Sequence, residues 1–537
     1  MKNRLNKSSK HVAFAACMLA LSGSFTACQD EYTLDEVKPS WLNSSIYETL
    51  ESNGNYTNYL RLIADPDVNS GGDEEGSLVQ ILSRTGSKTV FAATDEAWQK
   101  FFEANKSLPE SNPWHYAQSY AQLSKSQKKL LLHTSMLNNA IVMENLASSS
   151  GSKPTRGQYL RRKTDVELVD TVTRIAVKDL PRTYWDFDKQ ASETEAEFPE
   201  KDQWSRIRAS YSEDDSIYML TDHSVSMMIH FTNEYMAKKQ ITDRDFRIIM
   251  GRERRTSDVH VYDALLDSAD IVCENGYVNM TEKPLIPLAN MAEVIRTNGR
   301  TDIFSHLLDR FSVPYEDKSI SKIFSQLNPN FNEETDTLYT KRYYSGRSFG
   351  GGALNSDERG NAFGGTSDAI LKFDPGWNGY YPESSKPEED MGAMFVPNDA
   401  QMLDYFNNGG GRILLEEYTK DHKAGSYSEA DLETLFMDID QIPLNKLYAI
   451  INHCMFASFA NSVPSKMLGL REEVTLEQIF SENDTKLMSE GDGNIDTVLV
   501  ACNGAVYIMN NVLTPSDFNC VTTPAYIRSP IGSHLVP

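Results

Sequence analysis

Ile271-Val-Cys-Glu-Asn-Gly-Tyr-Val-Asn-Met-Thr-Glu-Lys-Pro-Leu-Ile-Pro287 aligns without a gap on Leu499-Val-Ala-Cys-Asn-Gly-Ala-Val-Tyr-Ile-Met-Asn-Asn-Val-Leu-Thr-Pro515. In each stretch two apolar runs flank an Asn-Gly pair, Asn275-Gly276 and Asn503-Gly504. That pattern predicts a β-hairpin, because the favoured two-residue turn needs φ > 0 at both central positions. A hairpin that recurs in one chain points to a module written twice, and the rest of the module should then recur in the same order.

Three further pairs follow that order. Ile46-Tyr-Glu-Thr-Leu-Glu-Ser-Asn-Gly-Asn matches Met291-Ala-Glu-Val-Ile-Arg-Thr-Asn-Gly-Arg, with apolar spacing that suits short amphipathic helices broken at Asn-Gly. Thr89-Val-Phe-Ala-Ala-Thr-Asp-Glu-Ala matches Ala393-Met-Phe-Val-Pro-Asn-Asp-Ala-Gln, read as a buried strand followed by a helix. Thr94 or Asn398 would cap that helix, and Asp95 or Asp399 would place negative charge at its positive end. Leu130-Leu-Leu-His133 pairs with Ile450-Ile-Asn-His453. The spacings between matched motifs put one long insertion in each copy, about 145–262 in the first and about 313–390 in the second.

Strand–Thr-Asp-Glu-Ala–helix, a Leu-rich helix ending in His, and an Asn-Gly hairpin running to Leu-x-Pro together resemble the fasciclin domain. The resemblance implies an α+β fold of two tandem fasciclin-like modules, each a mixed β-sheet core with packed helices, over 41–288 and 289–516. It also implies adhesion rather than catalysis. Leu132 and Asn452 stand where that family commonly has Tyr before the His. On physical grounds Asp95 and Asp399 read as helix-start charges, His133 and His453 as hydrogen-bonded core histidines, and Asn275-Gly276 and Asn503-Gly504 as turn formers.

The N-terminus decides the cellular setting. Lys2, Arg4, Lys7 and Lys10 precede an apolar run from Val12 to Leu21, then small residues, then Cys28. This is the layout of a secretory signal over residues 1–27, and Thr-Ala before Cys28 resembles the bacterial lipobox. Acylation of Cys28 would anchor the chain, since each buried CH₂ contributes about 0.8 kcal/mol. Residues 28–40 form an acidic tether beginning Gln29-Asp-Glu31, similar to the tag of surface-exposed outer-membrane lipoproteins. Residues 517–537 are a C-terminal tail.

The net charge of −24 becomes −28 once the four cations of residues 1–27 are removed. Such a chain repels phosphate backbones, and its best basic cluster, Arg244 to Arg255, is interleaved with Asp243, Asp245 and Glu253; nucleic acid is therefore excluded as a partner. The cysteines Cys273, Cys454, Cys502 and Cys520 have no zinc spacing, although an oxidising exterior would permit a Cys502–Cys520 bond. Asp492-Gly-Asn494-Ile-Asp496 lacks the Gly and Glu of a calcium loop. Gly346-Arg-Ser348-Phe-Gly350 fits a nucleophile elbow in letters but sits in loop-like sequence. No catalytic residue, cofactor or metal is expected.

What remains are the insertions. Tyr343, Tyr344, Phe373, Trp377, Tyr380 and Tyr381 stand among Gly and Asn, and aromatics on exposed loops would offer flat contact area to a sugar or a protein. The expectation is a lipid-anchored surface protein, held at the outer membrane, that binds a glycan, matrix or protein partner. The alternative is an accessory subunit of an outer-membrane nutrient-uptake complex.

Overall fold

The computed structural model describes residues 43–512, apart from 69–76, 150–152, 168–171, 182–202, 221–226, 347–369, 378–386, 420–426, 470–494 and single positions 85, 111, 113, 317, 329 and 333, together with 525–529 and 532–536. The chain divides after Ser44, and the unit Ser45–Pro537 holds every element described below.

The first repeat opens with helices α1 (Ile46–Asn53) and α2 (Thr57–Ile63). Ser45 and Glu48 close a capping box on α1, and Gly54 ends it in the left-handed conformation (φ 75°) that a side chain would resist. Strand β1 (Lys88–Ala93) runs into α3 (Asp95–Asn105), capped by Thr94 as expected. Helix α4 (Lys125–Thr134) follows, then the short strand β2 (Met136–Leu137).

The first insertion supplies β3 (Arg161–Lys163), β4 (Val172–Ala176), β5 (Ser216–Leu220), β6 (Met227–Phe231), helix α5 (Asp243–Met250) and β7 (His260–Val261). The closing hairpin is β8 (Ala264–Cys273) and β9 (Gly276–Thr281). β9 lies parallel to β1, and the seven-stranded order is β2-β1-β9-β8-β7-β6-β3. Alternation along β1 divides its side chains as a strand must: Val90 and Ala92 join the first repeat's own helical core, while Phe91 enters a larger core shared with the second repeat.

The second repeat repeats this scheme. Helices α6 (Met291–Thr297) and α7 (Asp302–Asp309) lead into the second insertion, which contributes β10 (Ser312–Glu316) and β11 (Leu338–Tyr343). Then come β12 (Gly392–Pro397), α8 (Asp399–Asn408), α9 (Leu444–His453), β13 (Met455–Phe456), β14 (Ile495–Ala501) and β15 (Gly504–Met509). Register is identical in the two copies: Lys88↔Gly276 through Ala93↔Thr281 corresponds to Gly392↔Gly504 through Pro397↔Met509. Among the described residues this sheet has the order β13-β12-β15-β14. A final hairpin pairs β16 (Ala525–Ser529) with β17 (Gly532–Val536).

The two insertions meet in a sheet of their own. Its order is β10-β11-β5-β4, with β4 and β5 from the first insertion and β10 and β11 from the second. The seam is the parallel pairing Leu338↔Tyr218, Tyr339↔Met219, Thr340↔Leu220. Trp204 is fully buried against it and donates through Nε1 to the carbonyl (3.2 Å) and hydroxyl (3.1 Å) of Ser312, so the indole N–H finds the partner that burial demands.

Candidate functional site

Four of the motif residues shared by the repeats, Asp95, Asp399, Asn275 and Asn503, hold the start of a helix. Asp95 does more than start its own helix: its two carboxylate oxygens accept from the amides of Thr57 (3.0 Å) and Asn58 (2.8 Å) at the start of α2. Those bonds outweigh partial burial and hold its carboxyl below the usual range. Asp399 accepts from the amide of Ile303 at the start of α7 in the same way, at 2.8 Å. Both therefore stand in the first turn of the following helix as expected, and in addition they staple the preceding one, which the fold brings alongside.

Asn275 and Asn503 also differ from expectation. The hairpins close at Cys273↔Gly276 and Ala501↔Gly504, so the two loop residues are Glu274-Asn275 and Cys502-Asn503, and neither Asn has a positive φ. Their amides are the point. Asn275 Oδ1 accepts from Ile46 N (2.9 Å), and Nδ2 donates to the carbonyls of Leu82 (2.9 Å) and Ile81 (3.2 Å). Asn503 Oδ1 accepts from Met291 N (2.8 Å), and Nδ2 donates to the carbonyls of Pro375 (2.8 Å) and Trp377 (3.2 Å). Each Asn is a buried clasp on the first helix of its repeat. The neighbouring glycines are required by close approach: a Cβ on Gly276 would lie 1.8 Å from the Lys88 carbonyl oxygen, and one on Gly504 would lie 2.6 Å from that of Gly392.

The histidine pairing shifts by one residue. Phe91 N bonds the Ser135 carbonyl and Phe395 N bonds the Cys454 carbonyl, each at 2.9 Å, so Ser135 corresponds to Cys454, His133 to Asn452, and Thr134 to His453. His133 and His453 are half-buried at helix ends, not fully buried as core histidines would be. Asn452 ties the second insertion down, donating to the Ile370 carbonyl (2.9 Å) and accepting from Lys372 N (2.8 Å).

The four described aromatics of the second insertion's candidate set face inward rather than outward. Tyr343, Tyr344, Phe373 and Trp377 are 1%, 1%, 0% and 9% exposed and belong to the shared core. An insertion of this length needs apolar mass to hold it down, and these rings supply it. Tyr380 and Tyr381 lie outside the described residues, as do Cys28, Ser348, Cys520 and residues 492–494 of the calcium-like string. Cys273, Cys454 and Cys502 are buried thiols.

The feature that sequence reading missed is the joint between the repeats. Arg161 of β3 is fully buried and donates to the carbonyls of Cys502 (3.1 Å) and Pro387, while the amides of Leu160 and Arg161 share the Glu388 carbonyl (2.7 and 3.0 Å). Helix α5 packs on β14, and its Asp245 accepts from the amide and hydroxyl of Ser465, both at 2.7 Å. Asp390 is half-buried before β12, and its carboxyl is pushed up by desolvation although Ser458, Met391 N and Ala460 N bond it. Beside α5 opens a groove of about 330 Å³ lined by Ile249, Met250, Leu288, Val294 and Leu499, with Asp263 at its rim paired to Lys283. Only the run of Arg and Asp around α5 hinted at this region in the sequence, and it reads equally as a solvated face. Among the described residues no group of three or more His, Cys, Asp or Glu side chains is arranged to hold a metal, and no helix is long and apolar enough to cross a membrane.

No family model matches the chain, nor does any curated protein. Among solved structures it is similar to a FAS1 domain pair from the insect cell adhesion molecule fasciclin I, at 9% identity and a TM-score of 0.19, over 81% of this chain and 90% of that one. At that score the likeness carries no argument by itself. The α+β architecture rests on the sheets and helices above, and the fasciclin-like reading on the ordered motifs.

Proposed function

We propose that this chain is a lipid-tethered, non-catalytic binding protein of the bacterial outer-membrane surface, with two fasciclin-like modules joined into one platform that holds a glycan, matrix or protein partner. The observation that carries the reading is the shared use of Asp95 and Asp399, and of Asn275 and Asn503: in both copies the polar motif side chains are spent on backbone groups. A duplicated module that keeps its clasps and varies its insertions is a scaffold for presenting surface. The lipobox-like Thr26-Ala27-Cys28 supports anchoring.

Two measurements test it. Cys28→Ser should move the protein from the membrane to the soluble fraction, and protease added to intact cells should remove the wild type. Mass spectrometry of what co-purifies in mild detergent then separates the versions. A stoichiometric outer-membrane transporter would make it an uptake-complex subunit, which the acidic run after Cys28 favours. Recovery alone, with capture on a glycan or matrix array, would make it an adhesin. Protection from external protease would refute both.

A further inference from the structure

His260 heads a line of rings that runs from the first repeat into the second. Its imidazole lies 4.7 Å from Phe246 of α5; Phe246 meets Phe231 at 5.3 Å edge to face, and Phe231 meets Phe459 of the second repeat at 6.3 Å. His260 is fully buried, and among the described residues neither ring nitrogen has a hydrogen-bond partner. The charged groups facing it are Arg252 and Arg254 just beyond α5, Asp258 before β7 and Glu282 after β9. Glu282 is already paired with Arg252, and Arg254 is paired with Asp243 at the start of α5. A proton on His260 would therefore create a buried cation beside two arginines, one of them buried and both already paired, with no acceptor prepared for it.

Helix α5 is also what grips the second repeat, through Asp245 on Ser465 and through its packing on β14. We propose that His260 is an acid-sensitive latch on the inter-repeat joint: its protonation hydrates the ring by lifting α5, and the grip of α5 on the second repeat opens while the rest of the shared core stays closed. Burial and the neighbouring arginines press in the same direction, holding the imidazole down at about 4, so the neutral form prevails at neutral pH. His230 makes an internal control. It pairs with Val261 where Phe231 pairs with His260, so it points to the opposite face of the sheet, toward Arg162 and away from α5.

Buried thiols read the joint directly in the full chain. Cys502 sits just past β14 under Arg161, whereas Cys454 belongs to the shared core at the end of α9. Labelling by a pyridyl disulfide reagent, mapped by mass spectrometry, should speed up at Cys502 by about tenfold or more between pH 7 and pH 4.5, as expected for opening coupled to one proton. Labelling at Cys454 should stay slow over the same range. His260→Phe should abolish the acceleration, His260→Gln should do the same if the ring replacement impairs folding, and His230→Gln should leave it in place. The proposal is overturned if Cys502 ignores pH, if Cys454 accelerates together with it, or if the His260 variants keep the response.

Discussion

The two repeats share register, caps and clasps, yet their sheets end differently. In the first, β8 is followed outward by β7, β6 and β3, all from that repeat's insertion. In the second, β14 is the last strand among the described residues, and it is α5 of the first repeat that packs against it. A terminal strand carries unpaired backbone groups and tends to be covered. The first repeat thus covers its own sheet and then supplies the helix that flanks its neighbour's. The second insertion answers by donating β10 and β11 to the sheet it builds with β4 and β5. Inserted segments, rather than the module itself, turn two domains into one body.

Changes at equivalent positions should test how equal the copies are. Gly276→Val should be the most damaging, because the new side chain meets a backbone carbonyl at a φ of 147°; a loss of about 3 kcal/mol or more is expected in urea unfolding. Gly504→Ala should cost less, since its closest clash is with the flexible Met291 side chain. Near-equal losses would mean that the two hairpins are equally constrained.

Asn275→Ala and Asn503→Ala should each cost about 2–3 kcal/mol, by leaving a buried helix-start amide without its acceptor. The first should expose thiol Cys273 and the second Cys502, as read by labelling at neutral pH. If either variant unfolds both repeats together, the clasps are not local to their modules.

Acid should sharpen the contrast. His230 and His260, both in the first repeat's sheet, are held below the ordinary imidazole value of about 6.5 by desolvation. The unfolded chain binds those protons more readily than the folded one, so the stability they protect is complete above about pH 6.5 and is lost as pH falls toward the folded values. Asp390 at the joint has the opposite sign, because burial raises its carboxyl and acid favours its folded form. Thermal melting from pH 7 to pH 4 should therefore show the first repeat weakening before the second, and His260→Gln should flatten that dependence. The smallest effect expected is from Trp204→Phe, which removes the hydrogen bonds to Ser312 and should cost about 1 kcal/mol, confined to the shared four-stranded sheet. Hydrogen exchange limited to β4, β5, β10 and β11 would report it.

What the sequence by itself determined was local. Asn-Gly hairpins, the Thr94 and Asn398 caps, the helix break at Gly54 and the buried strand before Asp95 are each written in a few adjacent residues, because turn conformation, capping and strand alternation act over a few residues. Even there it located the hairpins but misplaced the task of Asn275 and Asn503, since a clasp on Ile46 or Met291 depends on a residue more than two hundred positions away. Only the tertiary structure decided that Tyr343, Tyr344, Phe373 and Trp377 face inward, that Leu338 lies beside Tyr218, and that His260 stands behind the helix that grips the second repeat. An aromatic residue in a glycine-rich stretch looks the same in sequence whether it packs or protrudes. Which it does is settled by the surface the rest of the chain presents to it, and that surface exists only once both insertions have come together.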